Sequence, residues 1–319
     1  MKMQLRESEL VILSALQAAP RSTAVELARV TKYRVSSIQY ALNKFQKVLG
    51  LQVRPSVNSY LLGIQNVAIF FTPVFSRGDS RIRLLRAMQS HPKIPWACEF
   101  VGEYQFGLTV HCRYVSEVSE VVRELCDEGR ISLADKQISP RISYRYFGRG
   151  YLSTSSRKRP FLEHRYHECD VEIDDLDRLI LGVVSNESFS SMREAARIVG
   201  APSSTFDQRL RRLTRLGIIS GDIAHFSPAI VGRTAHRLMF QTQMFTDDDS
   251  AAFATLCSRL PDVVSMNETL GAFDREVVVE VAATSDVSRI LGNFYTVFGA
   301  KIRSSRTLIE AQALRWRLF

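Results

Sequence analysis

The sequence predicts an α+β chain built twice over. Each copy is a three-helix unit followed by a strand-helix-strand-strand-helix-strand (βαββαβ) run. Three observations carry this. The stretch from Asp174 to Gly221 holds three short apolar stripes at helical spacing. Residues 5–50 carry the same pattern in weaker form. An offset of 169 positions relates Gly63 to Gly232, Pro92 to Pro261, Glu99 to Glu268 and Gly102 to Gly271, which implies a tandem duplication and one fold for both halves.

The first unit is placed at residues 1–57. Leu10, Ile12, Leu13 and Leu16 form one helical stripe, and residues 25–30 a second. Ile38, Leu42 and Phe45 follow at i, i+4, i+7 and share one face of a third. Its other face holds Ser36, Tyr40, Asn43 and Lys47, with Lys32 and Arg34 just ahead. This is a helix-turn-helix pattern with a degenerate turn. Its basic residues suit phosphate contacts better than base reading.

Residues 58–147 change texture. Val67 to Phe71 is an apolar run suited to a buried strand, and Ile82 to Met88 is helical. Trp96 to Val101 and Phe106 to Cys112 read as strands joined near Gly102, Val115 to Leu125 as a helix, and Ile131 to Phe147 as a strand. That order is the ferredoxin-like arrangement. Two helices cover one sheet face; the other face is expected to be apolar and to find a partner, within the chain or in a second copy. Residues 148–173 hold Gly, Ser, Pro and the basic run Arg157-Lys158-Arg159 with no sustained period, and read as a linker. His164, His167 and Cys169 lie close together there, but no second ligand cluster accompanies them and no metal site is expected.

The second unit, residues 174–226, is the clearer one. Leu176, Leu179, Ile180 and Val183 make the first stripe, and Met192, Ala195, Ala196 and Val199 the second. Gly200-Ala201-Pro202 stops it, with a residue tolerant of positive φ and one lacking a donor. Ser203 and Ser204 can cap the third helix, whose Phe206, Leu210 and Leu213 face inward, 168 positions beyond Ile38, Leu42 and Phe45. Ser204, Gln208, Arg211 and Arg215 point outward. A short helix, a tight turn and a polar, arginine-bearing helix form the helix-turn-helix pattern for a DNA major groove. The candidate DNA-reading set is Ser203, Ser204, Thr205, Gln208, Arg211, Arg212 and Arg215. Ile218 to Gly221 adds a wing-like strand and turn, and residues 227–319 repeat the βαββαβ run.

The composition agrees. With 45% hydrophobic and 24% charged residues over 319 positions, the chain can bury a core in more than one domain. A net charge of +9 favours a polyanionic partner such as double-stranded DNA. No apolar run approaches a membrane span, and no signal peptide is read at the start. Five scattered cysteines fit a reducing, cytoplasmic setting.

Four stretches resemble the leucine-responsive/asparagine-responsive (Lrp/AsnC) transcriptional regulators: Leu176 to Leu181, the Arg-Leu-Arg-Arg-Leu of residues 209–213, Leu216 to Ile219, and Gly271-Ala272-Phe273-Asp274. The resemblance implies a winged helix-turn-helix ahead of a ferredoxin-like ligand-binding and oligomerisation domain, here in tandem. It also implies a small-molecule effector such as an amino acid beside Gly271, Phe273 and Asp274. In the first copy Gln105 stands where the second has the loop aspartate, so the resemblance implies the ligand site in the second copy. Some fused relatives resemble sirohaem decarboxylases instead. Their chemistry would call on His111, Arg113, His225 and His236, which form no matching set at the repeat offset. A third reading is a partner that joins mixed oligomers of related proteins and touches DNA weakly. The chain is expected to be a DNA-binding regulator without catalytic residues or cofactor, working as an intramolecular pseudo-dimer or a homo-oligomer.

Overall fold

The computed structural model describes residues 5–152, 160–166, 171–186, 189, 191–243 and 245–316. Helices α1 (Glu7–Ala18), α2 (Ala24–Thr31) and α3 (Val35–Lys47) lead into β1 (Gln52–Val57). The first βαββαβ run is β2 (Gln65–Phe75), α4 (Ser80–Ser90), β3 (Trp96–Val101), β4 (Phe106–Cys112), α5 (Ser116–Gly129) and β5 (Ile131–Tyr146). A short strand, β6 (Leu162–Arg165), precedes α6 (Asp175–Asn186), α7 (Met192–Val199), α8 (Ser203–Arg215) and β7 (Ile219–His225). The second run is β8 (Thr234–Thr242), α9 (Asp247–Arg259), β9 (Val263–Thr269), β10 (Arg275–Val281), α10 (Ser285–Phe298) and β11 (Ile302–Trp316).

Local chemistry sets the helix ends. Thr23 caps α2 by accepting from the Glu26 amide, while the Glu26 carboxylate accepts from the Thr23 amide. The α2–α3 turn passes through Lys32 at φ +65°, the place that Gly200 takes at φ +76° in the second unit. A lysine thus stands where glycine is the usual turn signal, which makes the first turn degenerate in sequence. Helix α8 begins directly after Pro202 and has no side-chain cap. Ser203 and Ser204 lie inside its first turn instead of capping it, since the proline already sets the extended entry.

Strands β1 and β7 pair antiparallel, from Gln52 opposite His225 to Val57 opposite Ile219. The ribbon ties the two three-helix units together, and the chain exchanges core residues across it. Val57 and Leu62 pack into the core of α6–α8. Phe226 packs into the core of α1–α3.

The other strands close on themselves. The order β2-β4-β3-β11-β8-β10-β9-β5 returns to β2 through the β5–β2 pairing, a ring of eight antiparallel strands. Each long strand serves both halves. Strand β5 pairs with β2 as far as Arg141, is irregular before Ser143, and then runs along β9. Strand β11 pairs with β8 as far as Ile309, is irregular after Glu310, and then runs along β3. Bulges bend and twist a strand, which lets it leave one sheet for the other. The halves thus meet within the chain, edge to edge, and among the described residues the closed ring leaves no open sheet edge except around β6.

Helices α4 and α5 cover one outer face over Val67, Ile69 and Leu108. Helices α9 and α10 cover the other, around Phe240, Phe253, Phe294 and Phe298. Burying each of these rings contributes about 1.5–3 kcal/mol. The inner face corrects an expectation. It is apolar only at one end, where Phe70, Phe100, Tyr104, Met239, Phe273 and Leu308 plug the barrel. Elsewhere Arg141, Arg237, Glu276 and Glu280 point inward, opposite Val277 and Val279 in the outer core.

Gly102 and Gly271, one pair of glycines shared at the repeat offset, have a common task at the two seams. A Cβ on Gly102 (φ +146°) would lie 2.8 Å from the Leu308 side chain, and one on Gly271 (φ +115°) 3.1 Å from the Ile138 carbonyl. Residues 148–173, expected to form a linker, are partly built into the fold. Gly150–Leu152 forms a single 3-10 turn and β6 pairs with β5, because Arg149 and His164 are buried there with polar partners. Arg157-Lys158-Arg159, His167 and Cys169 lie outside the described residues.

Candidate nucleic-acid interface

On α8, Phe206 and Leu213 are buried against α6 and α7, which turns Ser203, Ser204, Gln208, Arg211 and Arg215 to solvent. Thr205 is half-buried. Ser204, Gln208 and Arg211 stand at i, i+4, i+7, so one groove floor could meet all three. Arg212 is placed differently. It donates to Asp177 at 2.5 Å, and that carboxylate is fully buried at the start of α6. Arg209 holds Asp174 at 2.5 Å and Asp177 at 3.3 Å. These two arginines clamp α8 to α6, a role that spacing alone could not reveal.

On α3, Ile38, Ala41 and Phe45 are buried, and Ser36, Tyr40, Asn43 and Lys47 are exposed, with Lys32 and Arg34 exposed ahead of them. Lys44 is drawn inward to Glu9 at 2.7 Å. The first unit therefore presents Lys32, Arg34 and Lys47 with Ser36, Tyr40 and Asn43, and the second presents Arg211 and Arg215 with Gln208 and two serines.

Behind the ribbon lies a buried hub. The Arg149 guanidinium donates to Glu280 on β10 at 2.8 and 3.0 Å and to the carbonyls of Ala224 and Phe226 beside β7. Its amide donates to Gln17 of α1 at 2.7 Å. One residue thus bonds to the first helical unit, the ribbon and the barrel. His164 on β6 reaches Ser220 at 2.7 Å and Ser56 at 3.3 Å, one on each ribbon strand. Desolvation pushes the His164 imidazole down to about 4, so it is neutral near pH 7.

Inside the barrel, Arg141 donates to both oxygens of Glu276 at 2.8 and 2.9 Å and to Thr109 at 2.6 Å. Arg237 also pairs with Glu276 and reaches Glu310 at 2.7 Å, with its guanidinium 4.4 Å from the Trp96 ring centroid. Burial lowers Arg141 to about 10, still charged at neutral pH. Between this network and the ribbon lies a cavity of about 490 Å³. His111 and His225 line it, while His236 lies outside it. Burial, and secondarily Arg141, brings His111 down to about 4. Sequence reasoning missed Arg141, Arg149, Arg237, Glu276 and Glu280. A signal was there, since Glu276 and Glu280 share one face of a valine-rich strand that has a neighbour on each side.

The loop expected to meet a ligand is engaged by the fold. Asp274 accepts from the Thr242 amide at 2.6 Å and its hydroxyl at 3.0 Å. Phe273 is in the barrel plug, and Gly271 abuts β5. Among the described residues, no group of three or more His, Cys, Asp or Glu side chains is placed to hold a metal ion. No helix among them is long and apolar enough to cross a membrane.

Comparison with known proteins falls on the same region. Residues 173–220 match the family described as Winged helix-turn-helix DNA-binding. The chain is similar to the HTH-type transcriptional regulator FL11 of Pyrococcus horikoshii, 25% identical over 130 residues, covering 41% of this chain and 82% of that protein. It is likewise similar to the HTH-type transcriptional regulator LrpA of Mycobacterium tuberculosis, 24% identical over 133 residues, 42% of this chain and 88% of that one. Each of these relatives thus aligns with less than half of this chain. A solved structure of the sirohaem decarboxylase NirDL covers 98% of this chain and 93% of its own, at a TM-score of 0.60 and 11% identity. That likeness concerns the fold alone.

Proposed function

We propose that the chain is a sequence-specific, DNA-binding transcriptional regulator in which two helix-turn-helix units, joined by the β1–β7 ribbon, ride on an intramolecular barrel. The observation that carries the reading is the exposed line Ser204, Gln208 and Arg211 on α8, inside the segment that matches the winged helix-turn-helix family. Gln and Arg side chains can make paired hydrogen bonds to adenine and guanine edges. The relatives named as regulators support the same reading.

The halves are proposed to be unequal. Ser203, Ser204, Thr205, Gln208, Arg211 and Arg215 read or grip one half-site. Lys32, Arg34, Ser36, Tyr40, Asn43 and Lys47 add charge and register at the other. The barrel takes the place that a second subunit would fill in a single-copy protein, so one chain supplies both heads. A small metabolite is proposed to tune the affinity, in keeping with the Lrp/AsnC resemblance and a cytoplasmic setting. An enzymatic reading rests on fold likeness alone and is not carried further. Selection of bound duplexes from a random pool tests the proposal. The expected result is an enriched motif with one well-defined and one poorly defined half. Recovery of no motif over several rounds would contradict it.

A further inference from the structure

We infer that the barrel lumen is the effector site, and that it takes a metabolite carrying a carboxylate on an aromatic or similarly flat apolar body. The effector role rests on the proposed function; the site itself does not. An eight-stranded ring has an interior just wide enough to be filled by side chains or to hold one small ligand. Here the phenylalanine plug fills one end and leaves about 490 Å³ toward the ribbon, a volume suited to a small molecule.

The wall chemistry points to the ligand class. Arg237 is almost wholly buried, and its Nε has no acceptor among the described residues. His225 Nδ1 likewise has none, and both residues line the cavity. Arg141 spends its Nε–H and one N–H of each terminal nitrogen on Glu276 and Thr109, which leaves two N–H groups for an oxygen acceptor. Buried donors of this kind call for an acceptor, and a carboxylate meets a guanidinium in two-pronged geometry. Aromatic rings also line it, among them Tyr60, Trp96, Tyr144 and Trp316, while the carboxylates in the wall, Glu280 and Glu310, are already paired with Arg149 and Arg237. The neutral imidazoles of His111 and His225 can donate to the anion without a charge of their own to be neutralised first.

The position explains how occupancy could reach DNA. Ser56 and Ile223 of the ribbon share the cavity wall with Arg141 and Arg237 of the barrel. A ligand held there touches both the platform and the ribbon that sets the two heads. It also adjoins Arg149, which bonds to α1 and to the residues that end the ribbon.

The chain's two tryptophans, Trp96 and Trp316, both line the cavity, so intrinsic fluorescence reports on it directly. The full chain is titrated with phenylacetate, 3-phenylpropionate and diphenylacetate, each against its amide. The expected result is saturable quenching by at least one acid, with its amide roughly tenfold or more weaker. Ala313→Phe, at the exposed wall, should weaken the acid by a similar factor, with a melting curve to confirm folding. Absence of quenching by all three acids, or equal quenching by acid and amide, would overturn the site. In parallel, the bound acid should shift the affinity for a selected duplex by about fivefold or more. Quenching with unchanged DNA affinity would overturn the effector role. If the chain bound no duplex, the regulator reading would fail and the effector role with it, while the quenching would still decide the site.

Discussion

At the scale of single residues, arginines that look alike in the sequence do different things. Arg211 is exposed on α8, while Arg212, one position on, holds the buried Asp177. Arg212→Ala should cost about 1 kcal/mol or more, because a buried carboxylate loses a donor and keeps only the longer Arg209 contact. Arg211→Ala should stay within about 0.5 kcal/mol of the parent chain. Urea unfolding of both variants separates them; equal losses would remove the distinction. His164 gives a second test. Its folded value of about 4 lies below the ordinary 6.5, so the unfolded chain binds the extra proton between the two. The stability it contributes is whole above pH 6.5 and is lost as pH falls toward 4, at about 1.4 kcal/mol per unit of separation. His164→Gln should flatten that fall, and an unchanged pH slope would show that other groups set it.

At the scale of elements, the helices and most strands were legible, while β1, β6 and the long-range pairing were not. Stripes such as Phe206, Leu210 and Leu213 fix a helix face locally. Nothing local says that β1 should pair with β7, whose partners are more than 160 residues away. The described part of residues 148–173 lacked a period because its task is polar. Arg149 and His164 are held by hydrogen bonds to several elements, not by a repeating apolar face. The lumen misled for a related reason, since an inward strand face bearing Arg141, Glu276 and Glu280 looks like one turned to water. The exposed faces of α3 and α8 were legible, Arg212 excepted, because surface faces follow from helix period alone. The turn before α3 supplies an element-scale prediction. Lys32 holds a left-handed conformation that costs a non-glycine residue about 1–2 kcal/mol. Lys32→Gly should therefore raise stability by up to about 1 kcal/mol and, by removing a cation, weaken binding to all duplexes alike. A thermal melt and a salt-dependent titration read the two effects, and a lower melting point would contradict the first.

At the scale of the whole molecule, closing the barrel within one chain lets the two heads diverge while the platform stays paired. The platform depends on Glu276, which bridges Arg141 from one half and Arg237 from the other. Glu276→Gln leaves two buried guanidiniums short of a counter-charge and should cost about 3–5 kcal/mol. Calorimetry would check it, and a loss below about 1 kcal/mol would mean that water enters the lumen and screens the pair. The central claim is that the second head reads sequence and the first contributes charge. The most direct measurement is the affinity of the parent chain, Arg211→Ala and Lys47→Ala for a selected duplex and its scrambled counterpart at several salt concentrations. Arg211→Ala should relax preference at one base position by about 1–3 kcal/mol, while Lys47→Ala should weaken both duplexes equally and reduce the salt slope by about one. Equal losses on both duplexes for Arg211→Ala, with base preference unchanged, would contradict the account.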